Sequence, residues 1–204
     1  IGMMAATVAA IYQHNLKRLL AYSSVAQLGY MVLGIAYGSV DGLTAAILHL
    51  FNHALMKGAL FLALGCVMLR VGDVTMLGVR GLGRQMPWTM AAFVIGGLSL
   101  IGVPLTVGFI SKWYLVTAAL EDGRWWIAGF ILASSLLAVI YIWKVVEAAY
   151  LQEPPAGRKV REAPLSMLVP TWILVLANIW FGVDADLTVS VARTAAMGLL
   201  GVAP

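Results

Sequence analysis

Four side chains able to take up or release a proton sit where a chain of this composition should carry none. His49, His53 and Lys57 follow one another at i, i+4 and i+8 in an apolar run, and Lys112 closes the stretch Gly102-Val-Pro-Leu-Thr-Val-Gly-Phe-Ile-Ser-Lys112. On a helix each four-residue step turns about 40° past a full circle, so His49, His53 and Lys57 share one face, with Asn52 beside it. A lysine at mid-bilayer costs at least about 2.5–3.5 kcal/mol on insertion scales, and such groups normally face a wet cavity or a partner. Desolvation disfavours the charged form of a buried group. A lysine so placed can exchange a proton rather than hold it permanently. One buried histidine is most simply an interhelical hydrogen-bonding residue, and Lys57 alone fits a fixed ion pair. Three such groups in register read as a proton relay.

Lys112 is marked by what precedes it. Pro104 lacks an amide donor and clashes with the preceding turn, so a helix breaks or kinks there, and Gly102 and Gly108 make unwinding cheaper. Unwound backbone at membrane depth survives only when buried in protein or lining a water-filled cavity. In broken helices the free carbonyls and half-helix ends interact with ions and charged side chains. Lys112 lies two turns beyond the break, where it would feel that field. A lysine snorkelling to the surface is the alternative, but eight residues separate Lys112 from Glu121.

Other polar positions carry less. Lys144 and Glu147 stand at i, i+3 and are most simply an ion pair. Ser23, Ser24 and Gln27 could line a hydrated path, but hydrogen bonds across helices are the simpler account. Asn178 and Pro170 carry no specific signal. Gly81-Leu82-Gly83 has no strand before it and is not a dinucleotide fingerprint. His49 and His53 have the spacing of a zinc pair, but Leu50 stands where the glutamate would be required. No metal site, cofactor or nucleophilic centre is expected.

The elements that must position these residues follow from composition. Of 204 residues 62% are hydrophobic and 11% charged, with a mean hydropathy of +0.93. Soluble domains carry about 25% charged residues. The balance excludes an ordinary soluble enzyme and a disordered tail, and the single Cys66 excludes an internal disulfide. The net charge of +4 is not gathered into a basic run with interleaved aromatics, so nucleic acid is not an expected partner. The fold expected is an all-α transmembrane bundle, with spans near residues 2–12, 19–38, 43–68, 88–120 (broken near 104), 125–149 and 165–182. Residues 1–183 then form the membrane domain. Residues 184–204 form a tail, with Leu187, Val191, Ala195 and Leu199 on one face of an amphipathic surface helix. The chain opens with Ile1 inside an apolar run, which reads as the C-terminal part of a longer protein beginning partway into a helix.

Charge placement orients the bundle. Lys17, Arg18, Arg70, Arg80, Arg84, Arg158, Lys159 and Arg161 fall in connections on one side, and Arg124 and Arg193 on the other. The positive-inside rule makes the first side cytoplasmic and puts the tail outside.

Three stretches together resemble one family: Asn15-Leu-Lys-Arg-Leu-Leu-Ala-Tyr-Ser-Ser-Val-Ala-Gln-Leu-Gly-Tyr30, His49-Leu-Phe-Asn-His-Ala-Leu-Met-Lys-Gly-Ala-Leu-Phe-Leu62, and Gly102 to Lys112. They are similar to the proton-conducting antiporter-like subunits shared by respiratory complex I, membrane-bound hydrogenases and Mrp-type cation/proton antiporters. Ser111-Lys-Trp-Tyr114 and the run Lys144 to Tyr150 look most like the D-type component of Mrp antiporters. Ala26-Gln27 departs mildly from the family, which usually has a small hydroxyl residue before the glutamine. The resemblance implies the C-terminal part of a fourteen-span fold of two inverted five-helix repeats, with the lysine and glutamate of the first repeat lying upstream of Ile1. It makes Lys112 the lysine of the second broken helix and the gate of one half-channel, and His49, His53 and Lys57 part of a central polar axis. It further implies a multi-pass subunit of the bacterial cytoplasmic membrane, working with other membrane subunits on protons and Na+. The function expected is proton conduction within a monovalent cation/proton antiporter. The alternatives are a pumping subunit of a complex I-type NADH:quinone oxidoreductase or a hydrogenase, and a non-conducting scaffold.

Overall fold

The computed structural model describes residues 1–202, so the last two residues of the expected tail lie outside the described residues. Among the described residues the chain forms α1 (Gly2–Ile11), α2 (Leu16–Ala36), α3 (Val40–Val71), α4 (Leu82–Gln85), α5 (Pro87–Ile101), α6 (Val107–Glu121), α7 (Trp125–Tyr150), α8 (Leu165–Val183) and α9 (Asp186–Leu200). The protein is an all-α transmembrane bundle. By length and composition α2, α3, α7 and α8 are long and apolar enough to cross a membrane, whereas α1 and α5 are apolar but short. α5 and α6 together make one interrupted crossing.

The helix boundaries are chemical. The Asn15 side chain accepts from the amides of Lys17 and Arg18 at 3.0 and 3.3 Å, which starts α2. Ser39 caps α3 by accepting from the Gly42 amide at 3.1 Å. α3 runs for 32 residues, about 48 Å of rise, and ends at Gly72 in the left-handed conformation. It is the axle of the molecule, packing against α2, α5, α6, α8 and α9. α5 begins with Pro87, and the Glu162 carboxylate reaches in from the α7–α8 connection to cap it. That carboxylate accepts from the Trp88 amide at 2.8 Å and the Thr89 hydroxyl at 2.6 Å.

The interruption spans residues 102–106, as the proline and glycines predict. Gly102 has φ +93° and Leu105 φ +71°, a conformation that costs an ordinary side chain free energy. The two half-helices approach so closely at Gly108 that a Cβ there would overlap the Ser99 carbonyl oxygen. α8 closes the break from behind, where a Cβ on Gly182 would run into the Thr106 backbone. α9 lies against α3 through Ala192 and Ala196, with Arg193 bridging to Asp41 at 3.1 Å. Its larger apolar side chains Leu187, Val191 and Leu199 are exposed, and Leu187 and Val191 line a groove with Phe51 of α3 and Phe181 of α8.

Candidate functional site

α3 presents the expected stripe to the interior, and its neighbours decide what each member touches. Lys57 is 6% exposed, and its ammonium donates to the Leu20 carbonyl at 2.7 Å and the Ser23 hydroxyl at 2.5 Å, both on α2. His49 is buried between two helices, with Nε2 2.9 Å from Gln27 Oε1 on α2 and Nδ1 2.8 Å from Ser111 Oγ on α6. His53 stacks on His49 at 6.4 Å between ring centroids, is only half-buried, and its Nε2 has no protein partner. Asn52 donates to the Val107 carbonyl at 2.7 Å, fastening α3 to the first residue of α6.

Lys112, also 6% exposed, turns back across the break. Its ammonium donates to the carbonyls of Leu100 and Ile101 at 2.9 and 2.8 Å, the last two of α5. These are the carbonyls that a helix end leaves without intrahelical partners, and they carry its negative end. The ammonium also lies 5.1 Å from the centroid of the Tyr30 ring, whose edge meets His49. The Tyr30 hydroxyl points on toward the Ile131 carbonyl at 3.4 Å. Gly102 must stay small, because a Cβ there would press the Lys112 chain at 3.0 Å. Ser99 donates to Asn178 Oδ1 at 3.0 Å and accepts from the Gly108 amide at 3.4 Å, tying α8 to both half-helices.

Not every expected residue joins the site. Ser24 donates back to Leu20 of its own helix. The Lys144–Glu147 ion pair does not form. Lys144 instead donates to the Ile11 carbonyl at 2.7 Å, at the end of α1 where the last carbonyls lack intrahelical partners. Sequence reasoning missed Ser111 and Asn178 as members, and gave Ser23 a hydrogen bond across helices without naming Lys57 as its partner. Ser111 had a signal in its place beside Lys112. Asn178 had one as the lone amide in an apolar span.

Among the described residues the ion pairs are Arg124–Asp122 and Arg193–Asp41, both at the surface. Lys57 and Lys112 therefore face hydroxyl and carbonyl oxygens, with no carboxylate to fix their charge.

A family model described as the transmembrane region of NADH:quinone oxidoreductase/Mrp antiporter proteins matches residues 1–138. The chain belongs to this family. Within it, the chain is 43% identical over 202 residues to NADH-quinone oxidoreductase subunit N of Desulforudis audaxviator, covering 93% of this chain and 40% of that protein. It is 36% identical to the F(420)H(2) dehydrogenase subunit L of Methanosarcina mazei, covering 84% of this chain and 28% of that one. A chain in the structure of the Mrp complex from Dietzia superposes with a TM-score of 0.91 at 26% identity, covering 98% of this chain and 45% of that chain. The chain thus spans less than half the length of these relatives.

Proposed function

We propose that this chain is the C-terminal part of a membrane subunit that carries protons through the bilayer along His49, Ser111 and the two buried lysines. The observation that carries the reading is the setting of Lys57 and Lys112, each almost fully buried and neither paired with a carboxylate. A structural lysine at this depth would be expected to carry an anion as its partner. A charge reaching one lysine lowers the proton affinity of the next, so uptake and release are coupled along the line. His49, His53 and Lys57 supply the lateral path and Lys112 exchanges with the outer side. Residues 184–204 lie outside the cytoplasm, the basic connections face inward, and the host membrane is the bacterial cytoplasmic membrane. Other membrane subunits complete the machine.

Two driving reactions are open to such a subunit, each with its own support. The names and 36–43% identity of the subunit N and subunit L relatives favour a redox-driven complex whose electron chemistry lies in other chains. The Mrp superposition and the run from Ser111 to Tyr114 favour cation/proton antiport of the D-type Mrp kind. We favour the redox-driven complex, because the identity to those relatives is higher, 36–43% against 26%. Lys112→Ala in the full-length protein, within its complex in sealed vesicles, should lower proton flux about 100-fold while leaving assembly intact. Unchanged flux would leave the scaffold reading standing instead. Dependence of flux on an added quinone or on a Na+ gradient separates the two drivers.

A further inference from the structure

We propose that the groove between α3, α8 and the start of α2 holds an acyl chain of an anionic phospholipid, whose headgroup sits at Lys17. The groove encloses about 470 Å³, with Phe61, Gly65, Met68 and Leu69 of α3, Met167 of α8 and Lys17 of α2 in its walls. Phe61, Met68 and Leu69 are exposed, so it opens away from the bundle. This lipid site stands on the groove and its charges, whether or not protons run along the buried lysines.

Gly65 clears the floor of the groove, since a Cβ there would come within 3.3 Å of the Met167 terminal methyl. From Phe61 to Leu69 the α3 wall rises about 12 Å, a length along which a flexible apolar chain can lie. Backbone bonds hold Lys17 at the mouth. The Leu16 amide donates to the Val74 carbonyl at 2.9 Å and the Met76 amide to the His14 carbonyl at 2.9 Å, tying the start of α2 to the segment just after α3. Arg70 follows Leu69, is exposed, and gives its Nε to the Glu162 carbonyl at 3.0 Å. Among the described residues neither Lys17 nor Arg70 is paired with a carboxylate.

The first turn of α2 and the last turn of α3 stand at the same edge of the membrane, because the two are consecutive crossings. An apolar channel that ends in unpaired cations at that edge matches an amphiphile with a negative head. Basic residues there attract anionic lipid, and a lysine lays its stem along apolar surface while its ammonium reaches the headgroups. A covering protein helix would have to bring its own carboxylate to Lys17, whereas such a lipid carries its phosphate with it. The groove beside α9 makes the contrast. Its walls are apolar except for Thr188, and Arg193 of the same helix is already bridged to Asp41, so any apolar cover suits it. At its deep end the Lys17 groove borders the candidate site, where the Phe61 ring lies 6.0 Å from the Lys57 ammonium.

The test uses the full-length protein in its complex, in vesicles of equal parts phosphatidylglycerol and phosphatidylcholine with matched chains. A trace of one lipid or the other carries a diazirine in its acyl chain, and labelled peptides are mapped by mass spectrometry after illumination. Adducts on residues 61–69 should favour phosphatidylglycerol about fivefold or more. Lys17→Gln should cut that preference to less than half, and high salt should do the same. Arg18→Gln, one residue along but outside the groove walls, should leave it unchanged. Gly65→Leu should fill the floor and reduce adducts of both lipids to less than half. Equal labelling by the two lipids overturns the inference, because the groove is then ordinary lipid-facing surface. Equal loss of preference in Lys17→Gln and Arg18→Gln overturns it as well, by assigning the effect to the basic edge as a whole. Undiminished labelling in Gly65→Leu would place the lipid elsewhere on α3, and no adduct with either lipid would mean that a protein segment fills the groove; each sinks the proposal. If Gly65→Leu fails to assemble, the comparison of Lys17→Gln with Arg18→Gln decides.

Discussion

Lys57 and Lys112 are equally buried and equally without a carboxylate, yet they are held by different chemistry. Lys57 sits against α2, an unbroken helix, and one of its two acceptors is the hydroxyl of Ser23. Lys112 sits against a helix end, and both of its acceptors are carbonyls released by the break in the α5–α6 crossing. A hydroxyl can accept from the ammonium and pass a proton onward, whereas a carbonyl only accepts. One residue type is thus held in two ways. At Lys57 the surroundings include a group that both donates and accepts, and at Lys112 they form a cradle whose shape is set by the backbone.

The contrast predicts that the Lys112 side is sensitive to geometry and the Lys57 side to chemistry. The largest expected effect is Gly108→Ala, because its Cβ would overlap the Ser99 carbonyl oxygen and force the half-helices apart. A loss of about 3 kcal/mol or more is expected, read as failure to assemble or a sharply lowered melting temperature of the purified complex. A normally assembled and melting variant would show that the break tolerates widening. Asn178→Ala comes next. It strands the fully buried Ser99 hydroxyl and should cost about 2 kcal/mol, measured in the same melting experiment. No shift in melting would mean that α8 does not hold the break in place. The smallest effect is expected from Ser23→Ala, which leaves Lys57 its carbonyl acceptor and the fold unchanged. Proton flux should fall about threefold to tenfold with the melting temperature preserved. The opposite pattern, with melting lost and flux per assembled complex kept, would make Ser23 a packing residue and erase the contrast.

Much of this is legible in the sequence. The apolar runs and the pair Gly102 and Pro104 mark the helices and the interruption, because these follow from local chemistry and from periodicity. Lys57, His49 and Lys112 are conspicuous since their burial is costly wherever the chain places them. What sequence cannot provide is which helix answers each group. Ser23 and Ser24 are adjacent and alike, yet only Ser23 faces Lys57, because successive helix residues point about 100° apart. Lys144 and Glu147 look complementary on a helix wheel, but an unpaired carbonyl of α1, 133 residues away in the chain, receives the lysine instead. His53 matches the spacing of its neighbours and still meets no polar partner at Nε2, since register along one helix says nothing about the element opposite.

The Glu162 cap has a mechanical meaning beyond starting a helix. It fastens the first turn of α5 to the connection that follows α7, and the last turn of the same helix carries the carbonyls that hold Lys112. Fifteen residues of continuous helix form a strut of about 22 Å between those two ends. A displacement of the polar connection would therefore shift two oxygens at Lys112, with no relay of side-chain moves in between. One stiff half-helix thus ties the position of Glu162 to the position of the oxygens that hold Lys112.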